Sequence, residues 1–224
     1  MSLMIFPSES PKLDSESGEE EVDFTERFIS VANGGYSKYK HAGQGSDLVL
    51  KSSDNFVFHV HTPILMMSSS VFKDMIDMPS PQPSENPKLS TTEPEPVELS
   101  EPAEVLLILL DTIYPGRGLL QDVDFGDRLS LLEAVGVAAK KYDMWSALEG
   151  VRAFLICSSN IAKYSPIHLY VIAYEMQFYS EAKSLSTKTL ECNLLDPKLE
   201  NLLVKANALA IFKLFQLRHR RKCL

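Results

Sequence analysis

A chain of 224 residues with a formal net charge of −8 is long enough to bury a sizeable core, as one domain with an extension or as two small ones. That charge disfavours a general electrostatic grip on DNA, RNA or anionic membrane, so proteins are the expected partners, with no direct nucleic acid and no membrane. Cys157, Cys192 and Cys223 have no paired or metal-ligating spacing. The first two fall within helical apolar patterns as small buried hydrophobes, and a reducing intracellular location, cytoplasmic or nuclear, is expected.

Residues 1–23 are rich in Ser, Glu and Asp, and Met1 to Phe6 is too short and lacks the basic start of a signal segment. Residues 1–40 are therefore expected to be a mostly disordered acidic segment. Phe24, Phe28, Ile29 and Val31 offer a short helix before Gly34-Gly35. No apolar run approaches a membrane-spanning length.

Ser46 to Lys51 and Phe56 to Val60 flank the polar Ser52-Ser53-Asp54-Asn55, the pattern of a hairpin. The period of two puts Phe56, Phe58 and Val60 on one face, toward a core, and Val57, His59 and His61 on the other. Thr62-Pro63 then supplies an N-cap and a first helical residue, and Ile64, Leu65, Ser68, Phe72 and Met75 continue at helical spacing. One helix of about three turns or more is predicted.

The following stretch, 77–96, holds six prolines among Ser, Thr and Glu, too many for a helix or an inner strand. It reads as a surface loop whose Ser80-Pro81 also suits a regulatory or docking segment. Val97 to Leu99 reads as a short strand, and Ser100 as the cap of a helix with Glu101 in its first turn. Val105, Leu106, Leu109, Leu110 and Ile113 form that helix's apolar face, which ends at Tyr114-Pro115-Gly116. Further helices are predicted from Asp127, with Leu132, Val135, Ala139 and Tyr142 inward, and from Met144 to Ile156. Ser165-Pro166 and Asp196-Pro197 start two more, the last running about Pro197 to Arg218 with more apolar surface than one stripe requires.

Asp47, Phe58, His61, Ile64, Leu65, Ser69, Val71, Phe72 and Met75 follow the order of the BTB/POZ pattern. Asp111 through Tyr114-Pro115-Gly116, then Leu131 to Ala134, Ala138, Tyr142 and Met144, continue it. The chain thus resembles BTB/POZ domain proteins, and Pro166, Tyr170, Ala173, Glu181, Ala182 and Leu190 resemble the C-terminal helical extension of fungal members. The resemblance implies an α+β fold: a short sheet with clustered helices over 41–158, interrupted by the proline-rich insertion, then an all-helical extension over 159–224. It makes Asp47, Phe58, His61, Leu65, Ser69, Phe72, Tyr114 and Gly116 structural signature positions, and Met75, Ile76, Met78 and Tyr114 candidate protein-binding residues. It further implies a homodimer or a cullin scaffold as partner, the latter making the chain a substrate adaptor for a ubiquitin ligase. The family's cullin-binding pattern has a hydrophobic residue two before Glu, whereas Met75-Ile76-Asp77-Met78 passes straight into prolines.

Chemistry is sparse. His59 and His61 lack convergent third and fourth ligands, so no metal is expected. Gly34-Gly35 and Gly43-x-Gly45 lack the strand–glycine–helix setting of phosphate loops and read as turns. No cofactor motif, serine elbow or carboxylate pair is evident, and no catalytic residue is assigned. Tyr114, Tyr142 and Trp145 read as core or edge aromatics. The basic run Arg218 to Lys222 reads as a solvated helix end; a homodimerising nuclear scaffold or transcription cofactor is the alternative in which it directs localisation, and an unrecognised enzyme is a remote one.

Overall fold

The computed structural model describes residues 39–40, 45–78, 96–115 and 120–222. The acidic N-terminal segment, nearly all of the proline-rich insertion, Gly116 and Cys223 lie outside the described residues. At the centre of the sheet is a hairpin, β2 (Leu48–Lys51) and β3 (Val57–Val60), antiparallel with Leu48 opposite Val60. Two-residue strands flank it in parallel: β1 (Tyr39–Lys40) beside β3 and β4 (Val97–Glu98) beside β2, for the order β1-β3-β2-β4. Alternation works as expected, since Phe58 and Val60 are buried while His59 is half-buried. The turn closes on Ser52, whose hydroxyl accepts the Phe56 N–H at 2.9 Å, and Asn55 takes the left-handed φ of 67° that its short polar side chain tolerates.

The helix predicted after the hairpin is two. α1 (Thr62–Ser68) stops at Ser69, which is extended (φ −147°, ψ 121°), and α2 (Ser70–Asp77) starts anew. Ser69 prefers capping to propagation: its hydroxyl oxygen accepts the Phe72 N–H at 3.1 Å while its O–H donates to the Tyr142 carbonyl.

The cap of α1 also differs from expectation. Thr62 is already helical, and its N–H donates to the Asp47 carboxylate at 2.8 Å, so the residue just before β2 supplies the acceptor. The hairpin does the same for α3 (Ala103–Ile113), whose first N–H donates to Asp54 at 2.9 Å rather than to Ser100. Two carboxylates at the two ends of one hairpin thereby fix the entry of two helices, each in the favourable sense for the helix dipole.

α3 is buried all round from Val105 to Asp111, which is the pattern of a central helix rather than a surface one. α1, α4 (Leu129–Lys141) and α5 (Trp145–Ile156) pack against it. The sequence reading starts α4 two residues early, at Asp127. The chain continues through α6 (Ser158–Lys163), α7 (Pro166–Glu175) and α8 (Tyr179–Lys188). Short 3-10 turns at Thr189–Glu191 and Pro197–Leu199 lead to α9 (Glu200–Lys205) and α10 (Ala208–Lys222). The single last helix expected from Pro197 is therefore broken, at Ala206-Asn207, where the Asn207 N–H donates to Glu175 at 2.8 Å and its side chain accepts from Leu209.

One continuous set of buried side chains runs from Leu50 to Leu214, joining the sheet, the central helices and the extension. The join is tight at Gly136 of α4, where a Cβ would lie 2.7 Å from the Met176 sulfur. Arg152 of α5 lies over the Phe178 ring at 4.7 Å and reaches Glu181 of α8 at 3.5 Å. Cys157 and Cys192 correct their expectation, since both are half-buried and sit between helices rather than inside them.

Candidate protein-interaction surface

The signature positions among the described residues converge on an internal bracket. Phe58 and Leu65 are in the core, and Phe72 stacks on Tyr142 with ring centroids 4.9 Å apart. The His61 N–H donates to the Tyr114 hydroxyl at 2.9 Å, tying the strand-to-helix junction to the end of α3. Tyr114 is only 8% exposed, so its place among the candidate protein-binding residues is corrected: the ring is spent inside. Burial holds its phenol above the ordinary range, and the Asp47 charge adds to this against the His61 amide.

Behind this bracket is a polar clasp. The Tyr142 hydroxyl donates to Glu101, and the Lys141 ammonium pairs with the same carboxylate at 2.7 Å. Burial and then Glu101 push the Tyr142 phenol up to about 12. Burial by itself would raise Glu101, yet hydrogen bonds from Lys141, Tyr142 and Ser100 leave it lowered. Glu101 is thus a clasp between the start of α3 and the end of α4, in place of its expected role in the first turn.

What faces solvent is the outer side of α1 and α2. Met67 is 89% exposed and Met78 68%, Val71 is also exposed, and Met75 and Ile76 are half-buried. Val71, Met75 and Met78 follow the i, i+4, i+7 spacing of one helical stripe. Asp74 borders the stripe, whereas Lys73 and Asp77, paired at 3.1 Å, lie on roughly the opposite side of α2. Met67 and Val71 were not among the candidates, although the sequence carries the signal. Leu65 points to the core, and a residue two further along a helix lies on roughly the opposite side.

A second apolar exposure lies at the other end of the chain. α10 buries Ala210 and Leu214 and donates nothing to the core from Leu209, Phe212 and Phe215, which stay about half exposed. Tyr170 ties its inner side by donating to the Ala210 carbonyl at 2.9 Å. Leu195 and Val204 are more exposed still and border an open cleft of about 470 Å³ with Leu194, Asp196, Pro197, Glu200 and Leu203. Trp145, expected as a core or edge aromatic, is 71% exposed at the start of α5.

The arrangement gives little to chemistry. Among the described residues no group of three or more His, Cys, Asp or Glu is placed to hold a metal ion, and no helix is long and apolar enough to cross a membrane. Of the basic run, Arg218 is used inside, donating to the Cys192 carbonyl at 3.1 Å and to that of Thr189, whereas Arg220 and Arg221 are exposed. No curated protein matches the chain. The family model for the BTB/POZ domain matches residues 36–159, from the first strand to the start of α6.

Proposed function

Because the chain belongs to the BTB/POZ domain family, whose members mediate protein–protein interactions, we propose that it is a non-catalytic substrate adaptor that engages a cullin scaffold through the outer side of α1 and α2. The observation that carries this reading is the exposure of Met67, Val71 and Met78 beside the rigid bracket of Ser69, Phe72 and Tyr142. Long unbranched methionines adapt to a partner's contour, and their burial supplies the affinity. Exposed Asp74, which flanks Val71 and Met78 on α2, supplies a polar rim that sets orientation. Cys157 and Cys192 are unpaired, in keeping with a proposed site of action in the reducing interior of the cell.

Burying one methionine contributes about 1.5–3 kcal/mol, and 1.4 kcal/mol is about tenfold in affinity. Isothermal calorimetry of the full chain against the N-terminal domain of a BTB-binding cullin tests the reading. Sub-micromolar binding, weakened at least about tenfold by Met78→Glu, is expected. No heat from a demonstrably folded chain retires the adaptor reading and leaves an interaction module with another partner.

A further inference from the structure

The C-terminal helices carry two surfaces that the adaptor reading does not use, and their chemistries complement one another. On α10, Leu209, Phe212 and Phe215 form an exposed ridge at three-residue spacing, covering about a third of the helix circumference. Residues 208–222 contain five cationic side chains and no carboxylate. Arg218 is committed to two backbone carbonyls, and Lys213 lies 5.2 Å over the Tyr174 ring. Arg220 and Arg221 remain at the exposed surface toward the end of the ridge.

The cleft has the opposite character. Leu194, Leu195, Pro197, Leu203 and Val204 make it apolar, and Asp196 and Glu200 make its rim acidic. Its outer walls, Leu195 and Val204, are 81% and 79% exposed, too open to enclose a small molecule but suited to accept protruding side chains.

We propose that two copies of this chain associate through these helices, the Phe212–Phe215 ridge of each seated in the Leu195–Val204 cleft of the other, with Arg220 facing Asp196 and Glu200. The occupant is argued from charge. At a net charge of −8 two copies repel one another over most approaches. The end of α10 is where a concentrated positive surface meets apolar residues, so contact there reverses the sign of the encounter. A reciprocal arrangement closes as a two-fold dimer, and each contact occurs twice. The pairing is independent of the α1–α2 surface and leaves it accessible.

Sedimentation equilibrium of the full chain tests the proposal. The expected result is a concentration-dependent monomer–dimer equilibrium that weakens with salt. Replacing one buried phenyl by a carboxylate weakens each contact at least about tenfold, so Phe212→Glu weakens the dimer by about a hundredfold, because the contact is made twice. Arg220→Glu weakens it as well, and adding Glu200→Lys restores part of the loss. Far-ultraviolet circular dichroism and an unchanged urea midpoint confirm that each variant is folded. A chain that stays monomeric to about 100 μM overturns the proposal and leaves the ridge to the chain's own acidic N-terminal segment or to another protein. A dimer indifferent to Phe212→Glu, or growth past the dimer, overturns it too.

Discussion

Ser69→Ala tests the bracket that holds α2 in place. Ser69 is 2% exposed, and its hydroxyl has two jobs: it accepts the Phe72 N–H at the start of α2 and donates to the Tyr142 carbonyl at the end of α4. Losing an N-cap acceptor costs about 1 kcal/mol. Leaving a buried carbonyl without its donor costs about 1–3 kcal/mol more, so a total of about 2–4 kcal/mol is expected. For a chain of this size that lowers Tm by roughly 4–16 °C. The neighbouring Ser70→Ala is the control: its hydroxyl reaches only the exposed Asp143 carboxylate, and a change within about 0.5 kcal/mol is expected. Urea unfolding followed by circular dichroism, with m values compared between variants, measures both. A Ser69→Ala chain within about 0.5 kcal/mol of the parent would refute the reasoning and make the Phe72–Tyr142 stack sufficient by itself.

The carboxylate caps predict that Asp54→Ala destabilises the chain by about 1 kcal/mol, and Asp47→Ala similarly. Ser100→Ala, at the cap expected from local sequence, changes it by less than about 0.5 kcal/mol in the same urea assay. Gly136→Ala and Met176→Ala should be coupled, because the added Cβ meets the Met176 sulfur. The double variant is expected to be more stable than the sum of the single effects by at least about 0.5 kcal/mol, and additivity would deny the close approach. Asp124 is held down from 3.8 to about 2, first by Lys163, then by the Gly126 amide and the Tyr164 hydroxyl. Its depressed folded value means that its contribution is present above pH 3.8 and is lost as pH falls from there toward 2. Since the side chain is largely exposed, Asp124→Asn should flatten that limb of a stability-against-pH curve by only a few tenths of a kcal/mol.

The hairpin and the helical cluster were legible because their signals are local. Period-two alternation marks β3, and polar Ser52 to Asn55 mark its turn. The helix entries were misassigned because their acceptors are remote: Thr62 and Ser100 satisfy local cap rules, yet the carboxylates used are Asp47, 15 positions from Thr62, and Asp54, 49 positions from Ala103. The break at Ser69 has the same origin. Met66 to Val71 contains three serines any of which could cap, and the choice is made by the Tyr142 carbonyl 73 positions away. Likewise Asn207 ends α9 through Glu175. At the candidate surface, Met78 is exposed while Met75 and Ile76 are half-buried, a difference that their departure from the family's cullin-binding pattern did not indicate. Tyr114 was misplaced because its burial depends on the His61 amide, a pairing across 53 positions.

The family match ends at residue 159, but the physical unit does not. Gly136, Arg152 and Tyr164 each engage across that boundary, the last by accepting the Phe125 N–H at 3.0 Å and donating to Asp124. These contacts join the domain to α6, α7 and α8 through buried side chains, Met176 and Phe178 among them, supplemented by partly exposed polar pairs such as Arg152–Glu181, and the buried part resists both salt and local opening. The extension therefore cannot swing as a tethered arm without exposing Met176 and Phe178, which are 4% and 7% exposed. A partner held on α1–α2 and a partner held on α10 would consequently be held in one fixed relation. Such a fixed relation between two surfaces follows from packing between the BTB core and its extension, and it is what the proposed adaptor role requires.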